Sequence, residues 1–425
     1  MKTRILNLLL PVLALTAVAC GDSFEFGTPT HDLNEGTDLS AGTTQVLWKN
    51  KGAVYPTKRI HNFRIPGLVR TPHKLIAFCE AREETGSTNK DGGDIDLVYR
   101  VSTDDGQTWG PSQVLFDDED NTCGNACAVW TESGRLVVFC CWARTGTTEA
   151  KFKSNYFSFE ESQRYHNHVV SFYSDDEGAT WSGPFKHFTE GRNSNPDRYL
   201  WTGFFKAGPG HAIQLKTGEH KGRILVGCDH KYQIYNGVPV TSDDENYYGS
   251  HVAYSDDNGE SWHMLELDEE LHYGNECVPV ELSDGRIYLD MRSTGAYKNQ
   301  RGWSVSGDGG ITWSRYTPNP LRTDPGCQGS IVNYNTNGVP SSVILASSNN
   351  STGRDHLSIR ASLDDCATWK TDVYQITEGK SGYSDLVVFD DGSVGVLYEN
   401  GTSVYREQIS FRRIPAATIA KYINE

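Results

Sequence analysis

Methionine is nearly missing from this chain, with three in 425 residues, whereas glycine numbers 42. That combination argues against a bundle of packed helices and for many tight turns. No helical period is sustained except over the short C-terminal stretch Ala416 to Tyr422. Runs of lysine or arginine do not occur. Basic residues number 39 against 55 acidic ones, for a formal charge of −16, so the basic face that nucleic-acid binding requires is lacking. The motifs HExxH, GxSxG and the P-loop are absent, and the glycine-containing loop Gly86 to Gly93 has no helix after it to make a dinucleotide site. CxxC is absent, Cys123 and Cys127 have no partners at zinc spacing, and the 13 histidines are scattered. The sequence therefore implies no metal and no cofactor. The run Asp117-Asp118-Glu119-Asp120 reads as a solvated acidic loop rather than a calcium site.

The one long apolar run, Ile5 to Val18, follows Lys2 and Arg4 and is too short to span a membrane. It ends in Ala17-Val18-Ala19-Cys20, which resembles the lipobox of bacterial lipoproteins. Residues 1–19 are expected to be a signal peptide and Cys20 a lipidated N-terminus. Residues 20–45, rich in Gly, Ser, Thr and acidic side chains, are expected to form a flexible tether, with the folded body at 46–425. The expected product is an exported lipoprotein of the periplasm or outer cell surface, touching the membrane through its anchor only. Nine further cysteines, an odd number, sit mostly in apolar runs such as Val138-Phe139-Cys140-Cys141-Trp142 and are expected to be buried thiols; one or two disulfides are the alternative.

An eight-residue pattern, Ser-x-Asp-x-Gly-x-Thr/Ser-Trp, recurs four times, starting at Ser102, Ser174, Ser255 and Ser306. A fifth copy at Ser362 has Cys366 in place of Gly. Asp and Ser side chains bond nearby amides and Gly accepts a left-handed backbone, so each copy predicts a hairpin turn whose Trp is buried between sheets. Strand-like runs precede the turns and lie between them. Spacings of 50 to 80 residues suit four-stranded blades, so the fold class expected is all-β, a six-bladed β-propeller. These turns match the Asp box found in sialidases and in unrelated propellers, which speaks to fold and not to function.

Other residues speak to function. Phe63-Arg64-Ile65-Pro66, then Asn275-Glu276, Met291-Arg292, Arg354, Gly382-Tyr383-Ser384 and Glu399 stand in the order seen in exo-α-sialidases. Gly208-Pro209-Gly210-His211 and Cys327-Gln328-Gly329-Ser330 extend the likeness over nearly all of 46–413. The chain resembles glycoside hydrolase family 33 sialidases (neuraminidases). That resemblance implies hydrolysis, with retention, of terminal α-linked sialic acids on glycoproteins, glycolipids or oligosaccharides, by a monomer without cofactor. It implies that Arg64, Arg292 and Arg354 grip the sugar's carboxylate and that Glu399 orients Arg64. Tyr383 would be the nucleophile, since a carboxylate there would be repelled by the substrate's own, and Glu276 would take its proton. Asp91 would be the acid/base, with Asp94 the alternative and Asp96 structural. Arg82 resembles the arginine near the sugar's C4 hydroxyl; Asn125 stands where many relatives carry Asp. Trp142 and the loop Phe157 to Tyr165 line the pocket or pack in the core. Three rivals stay open: a trans-sialidase or intramolecular trans-sialidase, a non-catalytic sialic-acid-binding propeller, and a scaffolding propeller.

Overall fold

The computed structural model describes residues 42–50, 54–55, 58–83, 91–147, 168–187, 199–234, 246–264, 271–335 and 340–425. The signal peptide, Cys20, most of the tether, most of the loop before Asp91 and the loop Phe157 to Tyr165 lie outside the described residues. The chain is all-β and propeller-like, with one C-terminal helix. Among the described residues, hydrogen bonding divides the strands among five sheets rather than six separate ones. One sheet has ten strands, because a parallel bridge between Ile95 and Thr122 joins two antiparallel sets of four, to which Val54–Tyr55 and Gly210–His211 each add a short strand. The first set is Lys58–Arg70, Leu75–Glu83, Ile95–Ser102 and Gln113–Phe116; the second is Thr122–Trp130, Leu136–Ala143, His168–Ser174 and Ser182–His187. Three further sheets begin at Tyr199–Ala207, Gly274–Glu281 and Ser330–Asn333. In the last sheet Thr44–Lys49 pairs with Gln408–Ile414, which continues to Val394–Gly401 and Lys380–Val388. The first described strand begins at Thr44. Among the described residues, the first strand thus pairs with the last one.

Middle strands such as Leu75–Glu83 and Leu136–Ala143 are buried along almost their whole length. Both of their faces meet neighbouring sheets, which is why they read as continuous apolar runs instead of alternating ones. All nine described cysteines are buried free thiols.

The repeated turns share one set of bonds. In the first, Ser102 Oγ donates to Asp104 Oδ1 (2.7 Å) and accepts from Gly106 N (2.8 Å), while Thr108 N and Oγ1 donate to the two Asp104 oxygens. The degraded fifth copy makes the same bonds, with Cys366 N donating to Ser362 Oγ (3.0 Å) and Cys366 itself at φ +64°. The turn needs the left-handed backbone more than it needs glycine. Four of the five rings pack on an aromatic side chain of the preceding antiparallel set of strands: Trp109 on Phe411, Trp181 on Tyr99, Trp262 on Phe139 and Trp369 on Tyr288.

The strands that open the sheets on the inside are irregular where it matters for function. Register shifts interrupt pairing between Arg64 and Gly67, Gly124 and Cys127, Trp201 and Phe205, Gly274 and Cys277, and Ser381 and Ser384. A bulge bends its strand and re-aims the side chains beside it.

Candidate active site

These shifted segments line one cleft of about 300 Å³. Arg64, Arg82, Asp91, Asn125, Glu276, Arg292, Arg354 and Tyr383 all border it. Glu399, fully buried, lies directly behind.

Arg64 leaves its strand at the first shift, where Ile65 adopts φ +58°. A β-branched residue is disfavoured there, and Glu399 secures it: one oxygen accepts Ile65 N (3.0 Å) and Arg64 Nε (2.9 Å). The other accepts Arg64 Nη2 and Tyr383 N, both at 3.2 Å. Burial disfavours the charge on Arg64, but Glu399 more than restores it, so the guanidinium stays cationic. A Cβ on Gly382 would come within 2.3 Å of Glu399 Oε2, so glycine is required beside Tyr383.

Tyr383 Oη donates to Glu276, 2.6 and 2.8 Å from its two oxygens. Arg292 Nη1 donates to Tyr383 Oη (2.8 Å) and to Glu276 Oε2 (2.7 Å). Burial and the neighbouring carboxylate push the phenol well above its ordinary range, against the pull of Arg292 and Arg354, so it is protonated when the cleft is empty. The strand behind it is pinned. Ser384 N donates to Gln328 Oε1 (3.1 Å). Buried Asp385 accepts Leu68 N (2.7 Å) and Ser330 Oγ (2.8 Å) and meets His211 Nδ1 (2.7 Å). The Gly208–His211 and Cys327–Ser330 segments thus act from beneath the cleft.

Asp91 sits at the rim, 2.7 Å from Arg82 Nη1 and 3.9 Å from Arg64 Nη1. Partial burial pushes its carboxyl up, but Arg82, Lys206 and Arg64 outweigh that and hold it at about 2, although 61% of the side chain meets solvent. Asp94 is buried, does not border the cleft, and its carbonyl accepts Glu83 N. Arg82 is oriented by Glu80, whose Oε1 also accepts Asn125 N (2.9 Å). Asn125 is held at φ +59°, and its side-chain amide nitrogen is buried without a protein partner. Trp142 does not border the cleft; its Nε1 donates to Asp118 (2.6 Å).

Other cleft residues carried no sequence signal of their own. Lys206, Asp229 and Tyr248 come from the sheet between the motifs, and Tyr405 from the hairpin after Glu399.

Residues 73–396 match the BNR repeat-like domain family. The chain belongs to this family, within the Asp-box sialidase superfamily. A curated sialidase from Micromonospora viridifaciens is 29% identical over 93% of this chain, which spans 58% of that longer protein. An exo-alpha-sialidase from Aspergillus fumigatus is 26% identical over 93% of this chain and 91% of its own length. The solved intramolecular trans-sialidase from Ruminococcus gnavus shares the fold, with a TM-score of 0.67 at 19% identity over 87% of this chain and 98% of that one.

Proposed function

We propose that this chain is a retaining exo-α-sialidase that hydrolyses terminal α-linked sialic acid through a tyrosyl-enzyme intermediate. Counting the ten-stranded sheet as two blades makes its body a six-bladed propeller. The observation that carries the reading is the Tyr383 hydroxyl, held against both oxygens of Glu276 and against Arg292, in a cleft whose remaining cations include Arg64 and Arg354. Three guanidinium groups converging on one cleft suit a small acid with its carboxylate on the reacting carbon.

In the proposed route the substrate carboxylate enters among Arg64, Arg292 and Arg354. Glu276 takes the phenolic proton as Tyr383 Oη attacks the anomeric carbon, and the bond to the leaving oxygen breaks as Asp91 supplies it a proton. Asp91 then removes a proton from water, whose oxygen displaces Tyr383 and regenerates the phenol with the proton held on Glu276. Asp91 must be protonated for the first step, yet the empty cleft keeps it ionised. The incoming carboxylate supplies the remedy: it neutralises Arg64 and so weakens one of the charges that hold Asp91 down.

Trapping decides the matter. A 2,3-difluoro sialic acid should leave an adduct on the peptide containing Tyr383, Tyr383→Phe should abolish it, and the first sugar released from a sialoside should be the α-anomer by NMR. Initial release of the β-anomer, or an adduct on another residue, overturns the mechanism. A sialylated product in the presence of lactose would instead identify a transferase, and binding without turnover a lectin. We also propose lipidation at Cys20 and an exported, membrane-tethered location; Cys20→Ala should free the protein from the detergent fraction.

A further inference from the structure

Taking the sialidase reading as given, we propose that Tyr405 is a positioning residue of the carboxylate clamp, holding Arg64 and Arg354 apart at the separation that a carboxylate needs. Like charges brought into one cleft repel, and each must be held by something else. Arg64 has Glu399 and Arg292 has Glu276. Arg354 has no carboxylate within ion-pair distance among the described residues; its Nη2 donates only to the Gly326 carbonyl at 3.3 Å. What it does have is two aromatic faces. Its guanidinium carbon lies 5.3 Å from the centre of the Tyr383 ring and 5.0 Å from that of Tyr405. Arg64 lies 5.3 Å from both rings. Two cations and two rings therefore share four close contacts, each inside the range of cation–π attraction. Tyr383 is needed for chemistry, which leaves Tyr405 as the ring whose task is orientation.

The hairpin that carries Tyr405 is built to hold it still. Glu407 accepts the backbone amides of Thr402 (2.9 Å), Ser403 (2.8 Å) and Val404 (3.1 Å), closing the loop on itself. From outside, Asn50 N donates to the Glu407 carbonyl (2.9 Å) and Asn50 Nδ2 to that of Arg406 (2.5 Å). A Cβ on Gly382 would meet Tyr405 Cδ2 at 2.8 Å, so the ring lies directly on the backbone beside the proposed nucleophile. In the described structure the Tyr405 hydroxyl has no hydrogen-bond partner, which assigns the work to the ring.

Three variants of the full chain test this: Tyr405→Leu, Tyr405→Phe, and a series bearing phenylalanine with increasing ring fluorination at 405, which weakens the ring's attraction for cations at nearly constant shape. Each is titrated with a sialic-acid-like inhibitor and with its neutral carboxamide, and assayed with an aryl sialoside. Leu should raise KM and the Kd of the acid about tenfold, in line with two lost cation–π contacts. It should change the Kd of the carboxamide little and leave kcat within about twofold; Phe should match the parent; and the acid's affinity should fall stepwise with fluorination. If Leu does not fold, the fluorinated series alone decides. Equal losses for acid and carboxamide, a Phe variant as poor as Leu, or no trend with fluorination overturns the proposal. A parent protein that binds neither compound instead overturns the sialidase reading beneath it.

Discussion

Asp91 is placed between two guanidinium groups, and its ionisation depends on whether one of them is already occupied. Its carboxyl is depressed, so the protonated form that the proposed first step needs becomes common only as pH falls towards about 2. In the proposed route a carboxylate bound at Arg64 lifts that value. The alkaline limb of kcat, which reports the complex, should therefore lie above the alkaline limb of kcat/KM, which reports the free protein, by about one pH unit or more. Coincident limbs would show that Arg64 does not couple the two groups. Asp91→Ala should also cost more with sialyl-lactose than with an aryl sialoside, whose leaving group needs less help; Asp94→Ala should show no such difference, since Asp94 is buried away from the cleft. At this scale the sequence was informative where a residue sits in a distinctive local string, as Arg64 and Tyr383 do. It chose Asp91 over Asp94 by resemblance alone, because Asp91 lies in one polar loop and Asp94 directly after it; the fold shows Asp91 reaching Arg82 and Arg64. Tyr405 was invisible: its partners, Arg64 and Arg354, are remote in sequence.

Among elements, the eight-residue turns and the bulges differ in how far their causes reach. A turn's bonds close within the repeat, so the letters alone predicted five of them, including the copy with Cys366. The shifts at Arg64, Gly124, Gly274 and Ser381 arise from the fit of one strand to its neighbour, which no single string encodes. The same holds for the bridge between Ile95 and Thr122, which turned two expected blades into one continuous sheet. The turns are also where sheets lock together. Gly106 lies at φ +85°, and a Cβ there would stand 2.3 Å from Phe411 Cε1 in the adjoining sheet. Gly106→Ala should therefore destabilise the protein by about 2–4 kcal/mol, combining left-handed strain with overpacking. Thermal unfolding checks this. Gly218→Ala, with φ +72° but open space around its Cβ, isolates the strain alone and should cost less.

For the whole molecule the decisive contact is between its first and last described strands. Trp48, almost fully buried, donates from Nε1 to Ser112 Oγ (3.0 Å) and packs near Phe63, so the first strand joins the last sheet to the first. Trp48→Ala should cost about 3–5 kcal/mol, as for other buried aromatic truncations, and denaturant unfolding should reveal it. Little chemistry sits on this strand, so kcat of the folded fraction should be unchanged. The closure also imposes an order in time. A chain delivered with its N-terminus first presents Thr44–Lys49 long before Gln408–Ile414 exists to receive it. Until then Leu47 and Trp48 have only the part of their burial site that lies near Phe63 and Ser112, and every sheet after them must form with the ring still open. Gln408–Ile414 is what completes the seat of Thr44–Lys49, so a chain ended before it would hold a nearly complete set of sheets with the partner edge of that first described strand unpaired. Such a species would be a target for chaperones and proteases.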